Sequence, residues 1–209
     1  MVLVISLMLN LALLLGAGWY LAERGARPIA EDLGIVEPRR PAFDVYAEEK
    51  FAGLEGEATV LIGDSQIALG PWSEVLDAPV AMRAQSGMRI SEVTATAVDH
   101  IPADAERVIV WAGSNDAMDG HAPDRMAADM TLLLRAIASA APDAEVIVLS
   151  LPPIELADVS RANVAIEGAA TRNGAELVDV TSDLDGLLTH DGVHLTGAGY
   201  EVVAEALER

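Results

Sequence analysis

Three places in the 209-residue chain set chemistry-bearing side chains directly after apolar runs. Thr59-Val60-Leu61-Ile62 ends abruptly in Gly63-Asp64-Ser65, the profile of a buried strand that stops at a tight turn, with Gly63 permitting the turn that exposes Ser65. A serine hydroxyl is a weak nucleophile, so it needs a neighbouring base and a carboxylate to orient that base. Asp191-Gly192-Val193-His194 supplies both, since a three-residue separation lets the carboxylate hold one imidazole nitrogen while the other points at a serine. Gly113-Ser114-Asn115-Asp116 follows the run ending at Trp111, where the Asn115 amide can donate to a developing oxyanion. Gly87, in Gln85-Ser86-Gly87-Met88, follows another apolar run and can present a bare backbone N–H to the same point. The chemistry open to such a set is attack by a serine on a carbonyl carbon.

Each residue also has a plain structural use. Ser65 can be the N-cap of a following helix. Asp191-Gly192 and Asn115-Asp116 are ordinary turn pairs. His190 is an adjacent competitor for the role of base, whereas His100 and His121 lie at helix-end or loop positions and are read as surface residues. Residue 67 is Ile, so the G-x-S-x-G elbow of α/β-hydrolases is not completed.

These residues need a frame that gathers strand ends on one edge. Strand-like runs are expected at Thr59–Ile62, Val80–Arg83, Arg107–Trp111, Glu145–Leu151 and Glu176–Val180. Helical stretches at Ile90–His100, Pro123–Ala141, Ala157–Asn173 and Gly197–Glu208 lie between and after them. Leu132, Leu133, Ala138 and Ala141 are read as a buried face of the second stretch. Strand and helix in alternation imply right-handed crossovers and a mostly parallel sheet, an α/β fold. In such sheets ligands bind at the carboxyl ends of the strands, where Ser65 and Asn115 both fall.

Composition narrows the function. Hydrophobic residues make up 52% and aromatics only 4%, so the core is built from Ala, Val, Leu and Ile. Net charge is −20, and Lys50 is the single lysine, so the chain has no basic footprint for nucleic acid. The acidity reads as a solvated surface, with attraction of a cationic substrate as the alternative. Cysteine is absent, which removes thiol catalysis, Cys-based zinc sites and disulfides together.

Residues 1–22 carry no charged side chain and are long enough to span a bilayer, with Asn10 as the one strongly polar interruption and Trp19-Tyr20 where an aromatic belt would fall. No Lys or Arg precedes this run, which favours an uncleaved anchor over a signal peptide. Arg24 and Arg27 follow it and would hold the C-terminal part on the cytoplasmic side by the positive-inside rule. Residues 23–56, rich in Glu, Arg, Pro and Gly, read as a linker with a short helix around Val45–Leu54. Residues 57–209 form the catalytic-type domain.

The blocks Gly63-Asp64-Ser65, Gly87, Gly113-Ser114-Asn115-Asp116 and Asp191-Gly192-Val193-His194 occur in the order and with the spacing of the GDSL, or SGNH, hydrolases, which this chain resembles over roughly residues 57 to 209. His194-Leu195-Thr196-Gly197-Ala198-Gly199-Tyr200 is also similar to the entry into the family's final helix. The resemblance implies a three-layer flavodoxin-like fold with a five-stranded sheet, no cofactor and no metal requirement. It further implies Ser65 as nucleophile, His194 as base and Asp191 as the group orienting it. The oxyanion hole would comprise the N–H groups of Ser65 and Gly87 and the Asn115 side chain, with Asp64 structural. The second block departs from the family: Gln85-Ser86-Gly87 lacks the frequent Asn and second Gly.

The expected activity is that of a serine esterase or deacylase working through an acyl-serine intermediate. Its partner would be a small-molecule, lipid, lysophospholipid, thioester or O-acetylated sugar ester, with the membrane engaged through the N-terminal segment. The resemblance leans toward a periplasmic or extracellular domain. An acyltransferase using the same triad and a non-catalytic binding domain are the alternatives. Met118 and Leu151-Pro152-Pro153-Ile154 can line an acyl pocket formed by the loops 114–123 and 152–160, or equally serve as ordinary loop packing.

Overall fold

A computed structural model describes residues 43–51 and 57–209. The expected membrane anchor, residues 1–22, and most of the linker lie outside the described residues. Among those described, no helix is long and apolar enough to cross a membrane.

Five strands, β1 (Thr59–Gly63), β2 (Val80–Ala84), β3 (Arg107–Trp111), β4 (Glu145–Leu149) and β5 (Glu176–Val178), form one sheet in the order β2-β1-β3-β4-β5. Every pairing is parallel, so the sheet is wholly rather than mostly parallel. Continuous apolar runs such as Val60-Leu61-Ile62 suit strands covered on both faces, and all three side chains are fully buried. Alternate residues divide between two cores. Val60, Ile62, Val108, Val110 and Val148 enter one, whereas Leu61, Ile109, Trp111, Ile147 and Leu149 enter the other.

Helices cover both faces: α1 (Phe43–Phe51), α4 (Ile90–Thr96), α6 (Pro123–Ala140) and α7 (Ser160–Arg172) share the first core. Short α2 (Ser65–Ala68) and α3 (Trp72–Val75), with terminal α8 (Gly197–Leu207), share the second, where Trp72 meets Trp111 and Tyr200 edge-on. A further single turn, α5 (Ser114–Met118), follows β3. Helix α1 falls inside the segment read as linker and starts earlier than the expected Val45. Phe43, Ala47 and Phe51 bury one stripe at helical spacing, so the packed unit begins at Phe43.

Several expected details differ. On α6 the buried side chains are Met126, Met130, Leu133, Leu134 and Ile137, while Leu132 is 58% exposed and Ala138 also faces solvent. A period of 3.6 residues rotates positions 132 and 138 off the stripe running through 130, 134 and 137. The expected helix Ile90–His100 stops at Thr96 and continues as a 3₁₀ turn, Val98–His100. Thr94 and Thr96 hydroxyls donate to the carbonyls of Ile90 and Glu92, which competes with the helical ladder. Strands β4 and β5 end early, because Val180 N–H donates to Ser150 Oγ (2.9 Å) instead of to a strand neighbour.

Sheet order fixes the site. From β1 the chain moves outward to β2 and then returns to β3 on the other side of β1, so connections diverge between β1 and β3, the place at which sheets of this kind bind ligands. Register aligns Gly63 with Trp111 on one side and with Ala84 on the other. The turns carrying Ser65, Asn115 and Gly87 therefore leave the sheet at one level.

Candidate active site

Gly63 lies against β3 so closely that a Cβ there would collide with the Trp111 carbonyl oxygen, which accepts from Asp64 N–H at 3.1 Å. Glycine at this position lets the chain turn at once into α2, whose N-cap is Asp64. The sequence reading allowed Ser65 itself as the cap; instead Asp64 Oδ1 accepts from Gln66 N–H (2.9 Å), which leaves the Ser65 hydroxyl for another partner. Asp64 Oδ2 accepts from Ser114 N–H at 3.2 Å, so one buried carboxyl joins the turns after β1 and β3. Burial pushes the Asp64 carboxyl up to about 6, against the opposing effect of backbone N–H donors.

The residues expected to form a relay come together. His194 Nε2 lies 2.9 Å from Ser65 Oγ, and His194 Nδ1 lies 2.7 Å from Asp191 Oδ2. Asp191 Oδ1 is held separately by Thr189 Oγ1–H (2.8 Å), Val193 N–H (2.9 Å) and His194 N–H (3.0 Å). Its two oxygens thus divide the work: one fixes the loop and the other faces the imidazole. The bond from His194, followed by these local donors, holds the Asp191 carboxyl well below the usual carboxylate range. His190, the competing histidine, is exposed and has no part in this chain of bonds.

Asn115 and Gly87 are joined through Met88. Asn115 Nδ2 donates to the Met88 carbonyl at 2.8 Å, which uses one of its two amide hydrogens. Met88 N–H closes a turn onto Gln85 O with Gly87 at φ +87°, a backbone state that excludes most side chains. Further ties hold the same two loops: Asp116 Oδ2 accepts from Ile90 N–H (3.0 Å), and Arg89 Nε donates to Asp119 Oδ2 (2.7 Å).

Two histidines read as surface residues are engaged. His121 Nδ1 lies 3.0 Å from Oδ1 of fully buried Asp116, and its side chain is 13% exposed. The chain turns back after α5, and His121 N–H also bonds the Asp116 carbonyl, so five residues suffice to bring the pair together. His100 packs edge-on against Phe51, a partner in α1 that the linker reading did not supply.

Sequence reasoning assigned no role to Gln66 and Thr189. Thr189 stands two residues before Asp191, a spacing at which a hydroxyl reaches a neighbouring side chain, so a local signal existed. Gln66 Nε2 donates to Val193 O (2.9 Å) across 127 residues, which no local pattern encodes. Among the described residues, no three His, Asp or Glu side chains converge as metal ligands.

The arrangement can pass a proton from Ser65 to His194 while Asp191 steadies the resulting imidazolium. No curated protein matches the chain in sequence. Among solved structures, a Streptococcus pneumonia protein named for platelet activating factor is 20% identical, covering 95% of this chain and 97% of its own, with TM-score 0.67. A GDSL-like lipase from Bacteroides thetaiotaomicron is 19% identical over 80% of this chain and 95% of its own, with TM-score 0.63. A carbohydrate esterase family 3 structure from Talaromyces cellulolyticus is 19% identical over 71% and 93%, with TM-score 0.57. At these identities the likeness concerns the fold, a five-stranded parallel α/β sheet. The model of the GDSL-like lipase/acylhydrolase family runs over residues 61–202, from β1 into α8 and across every member of the Ser65–His194–Asp191 chain, and the protein belongs to that family.

Proposed function

We propose that this GDSL-like hydrolase cleaves acyl esters through an acyl-Ser65 intermediate. The continuous run of short contacts from Ser65 Oγ to His194 Nε2 and from His194 Nδ1 to Asp191 Oδ2 is the observation that carries the reading. Ser65 Oγ attacks the ester carbonyl while His194 Nε2 takes its proton. The tetrahedral oxyanion receives the N–H groups of Ser65 and Gly87 and the second amide hydrogen of Asn115. His194 then returns the proton to the leaving alcohol. Water, activated by the same imidazole, releases the acid and restores Ser65.

The Ser65 N–H, at the start of α2, has no preceding helical turn to bond. Asn115, fixed by its bond to Met88, donates without having to reorganise. Both features support the oxyanion assignment.

The substrate class is a lipid, lysophospholipid, thioester or O-acetylated sugar ester. Neighbours of this fold include both lipases and carbohydrate or acetyl esterases, which supports keeping lipid and O-acetylated sugar esters together in the class. Residues 1–22 anchor the chain in the membrane, with the catalytic domain on the periplasmic or extracellular side, where envelope esters occur. Their uncharged, apolar sequence supports this.

The test is hydrolysis of p-nitrophenyl acetate and butyrate, lysophospholipid and acetylated sugar by the full chain in detergent, beside Ser65→Ala. Activity lost with Ser65 in a folded variant supports the mechanism. A folded wild-type protein inactive on all four would overturn hydrolysis and favour acyl transfer or binding.

A further inference from the structure

Gln66 directly follows the serine, and its side chain is fully buried. An amide is costly in such a place unless both ends are bonded. Here Nε2 donates to the Val193 carbonyl at 2.9 Å, while buried Oε1 has no hydrogen-bond partner among the described residues. A methionine or leucine would fill the space without that penalty but would leave the Val193 carbonyl without its donor, so the amide serves the Val193 bond rather than packing.

Val193 immediately precedes His194. The loop that carries them is stiff in itself: Thr189 N–H bonds His194 O (2.7 Å), Thr196 N–H bonds Leu187 O (2.8 Å), and Asp191 Oδ1 collects three donors. A stiff loop moves as a unit, so its distance from Ser65 depends on where it is attached. Among the described residues, Gln66–Val193 and Ser65–His194 are the two hydrogen bonds joining the turn 64–70 to the loop 187–196. The second belongs to the reacting atoms and must break and reform in every cycle. The first persists.

We propose that Gln66 is a positioning residue, whose amide sets the distance between Ser65 Oγ and His194 Nε2 by tethering the Val193 carbonyl. It touches neither substrate nor reacting atoms, and the proposal rests on the serine–histidine reading above. A misplacement of about 1 Å at such a pair costs on the order of 10²-fold in rate.

The test is Gln66→Met in the full chain, since methionine keeps the length and removes the donor. The expected result is a kcat on p-nitrophenyl acetate lowered about 10- to 100-fold with KM nearly unchanged, because the loss falls on geometry rather than on binding. The rate of Ser65 labelling by a serine-directed phosphonate should fall in parallel, and the thermal midpoint should change little, because removal of the unpaired Oε1 offsets loss of the donor to the Val193 carbonyl. In Gln66→Glu a protonated carboxyl can donate to Val193 O and an ionised one cannot. Its activity relative to wild type should therefore rise as pH falls, at constant near-UV circular dichroism.

A Gln66→Met protein with wild-type kcat beside an inactive Ser65→Ala overturns the tether and leaves the triad standing. An active Ser65→Ala overturns the triad and the tether with it. If Gln66→Met loses folding along with activity, the Gln66→Glu ratio decides: a rise at low pH supports the tether and a flat ratio overturns it.

Discussion

Asn115 Nδ2 donates to the Met88 carbonyl at 2.8 Å, so the oxyanion candidate after β3 is locked to the residue next to Gly87 after β2. One amide hydrogen thereby becomes structural and the other is left aimed by it. Asn115→Ala removes both, and kcat is expected to fall by about 10²–10³, the usual cost of one oxyanion donor. KM should change little. Asn115→Asp, which keeps the shape, loses the donor and adds a negative charge, should lose at least as much. Steady-state kinetics on p-nitrophenyl acetate check both, and an Asp variant with near-wild-type kcat would remove Asn115 from the oxyanion hole.

The two neighbouring histidines should separate cleanly. His194→Ala removes the imidazole bonded to Ser65 and Asp191, the proposed base, and is expected to lower kcat by about 10⁴-fold or more. His190 is exposed and outside that chain of bonds, so His190→Ala should stay within about twofold of wild type, as surface changes do. The reverse pattern in the same kinetic assay would reassign the base.

Thr189 supplies one of three donors to Asp191 Oδ1. In Thr189→Val the two backbone donors remain, so the carboxylate is loosened rather than released. A single hydrogen bond contributes about 0.5–1.5 kcal/mol, which corresponds to a loss of about two- to tenfold in kcat/KM. An unchanged kcat/KM would mean that Val193 and His194 N–H groups hold Asp191 unaided.

Much of this site was legible in the sequence because its determinants are local. Ser65 lies two residues past a strand whose apolar run is unmistakable, and Asp191 and His194 meet within one loop. The five strands were placed to within two residues at their ends. What escaped depended on distant partners. The stop of β4 at Leu149 comes from Ser150 turning to Asp179 and Val180, some thirty residues away. Leu132 has the same apolar character as Leu133, yet only the second falls on the stripe that meets the sheet. His121 looked unpartnered because its carboxylate, Asp116, was read as turn chemistry, and burial of that carboxylate is a property of the assembled core. Gln66 was visible as a polar residue after Ser65, but its partner Val193 belongs to the other end of the chain.

Asp64 gives the site a pH signature of its own. Its carboxyl, with an ordinary value of 3.8, is raised to about 6 chiefly by burial. Between those values the native state holds a proton that the unfolded chain has released, so its contribution to stability is fully present below about 4 and lost as pH rises through about 6. Asp64→Asn lacks this titration, although its amide leaves Ser114 N–H facing a donor and lowers stability at every pH. The variant is therefore compared by slope. The thermal midpoint of wild type minus that of Asp64→Asn should shrink as pH is raised from about 4 to about 6.5. A gap that widens over this range would mean that the bonds from Gln66 and Ser114 outweigh burial and that Asp64 stays ionised beside Ser65.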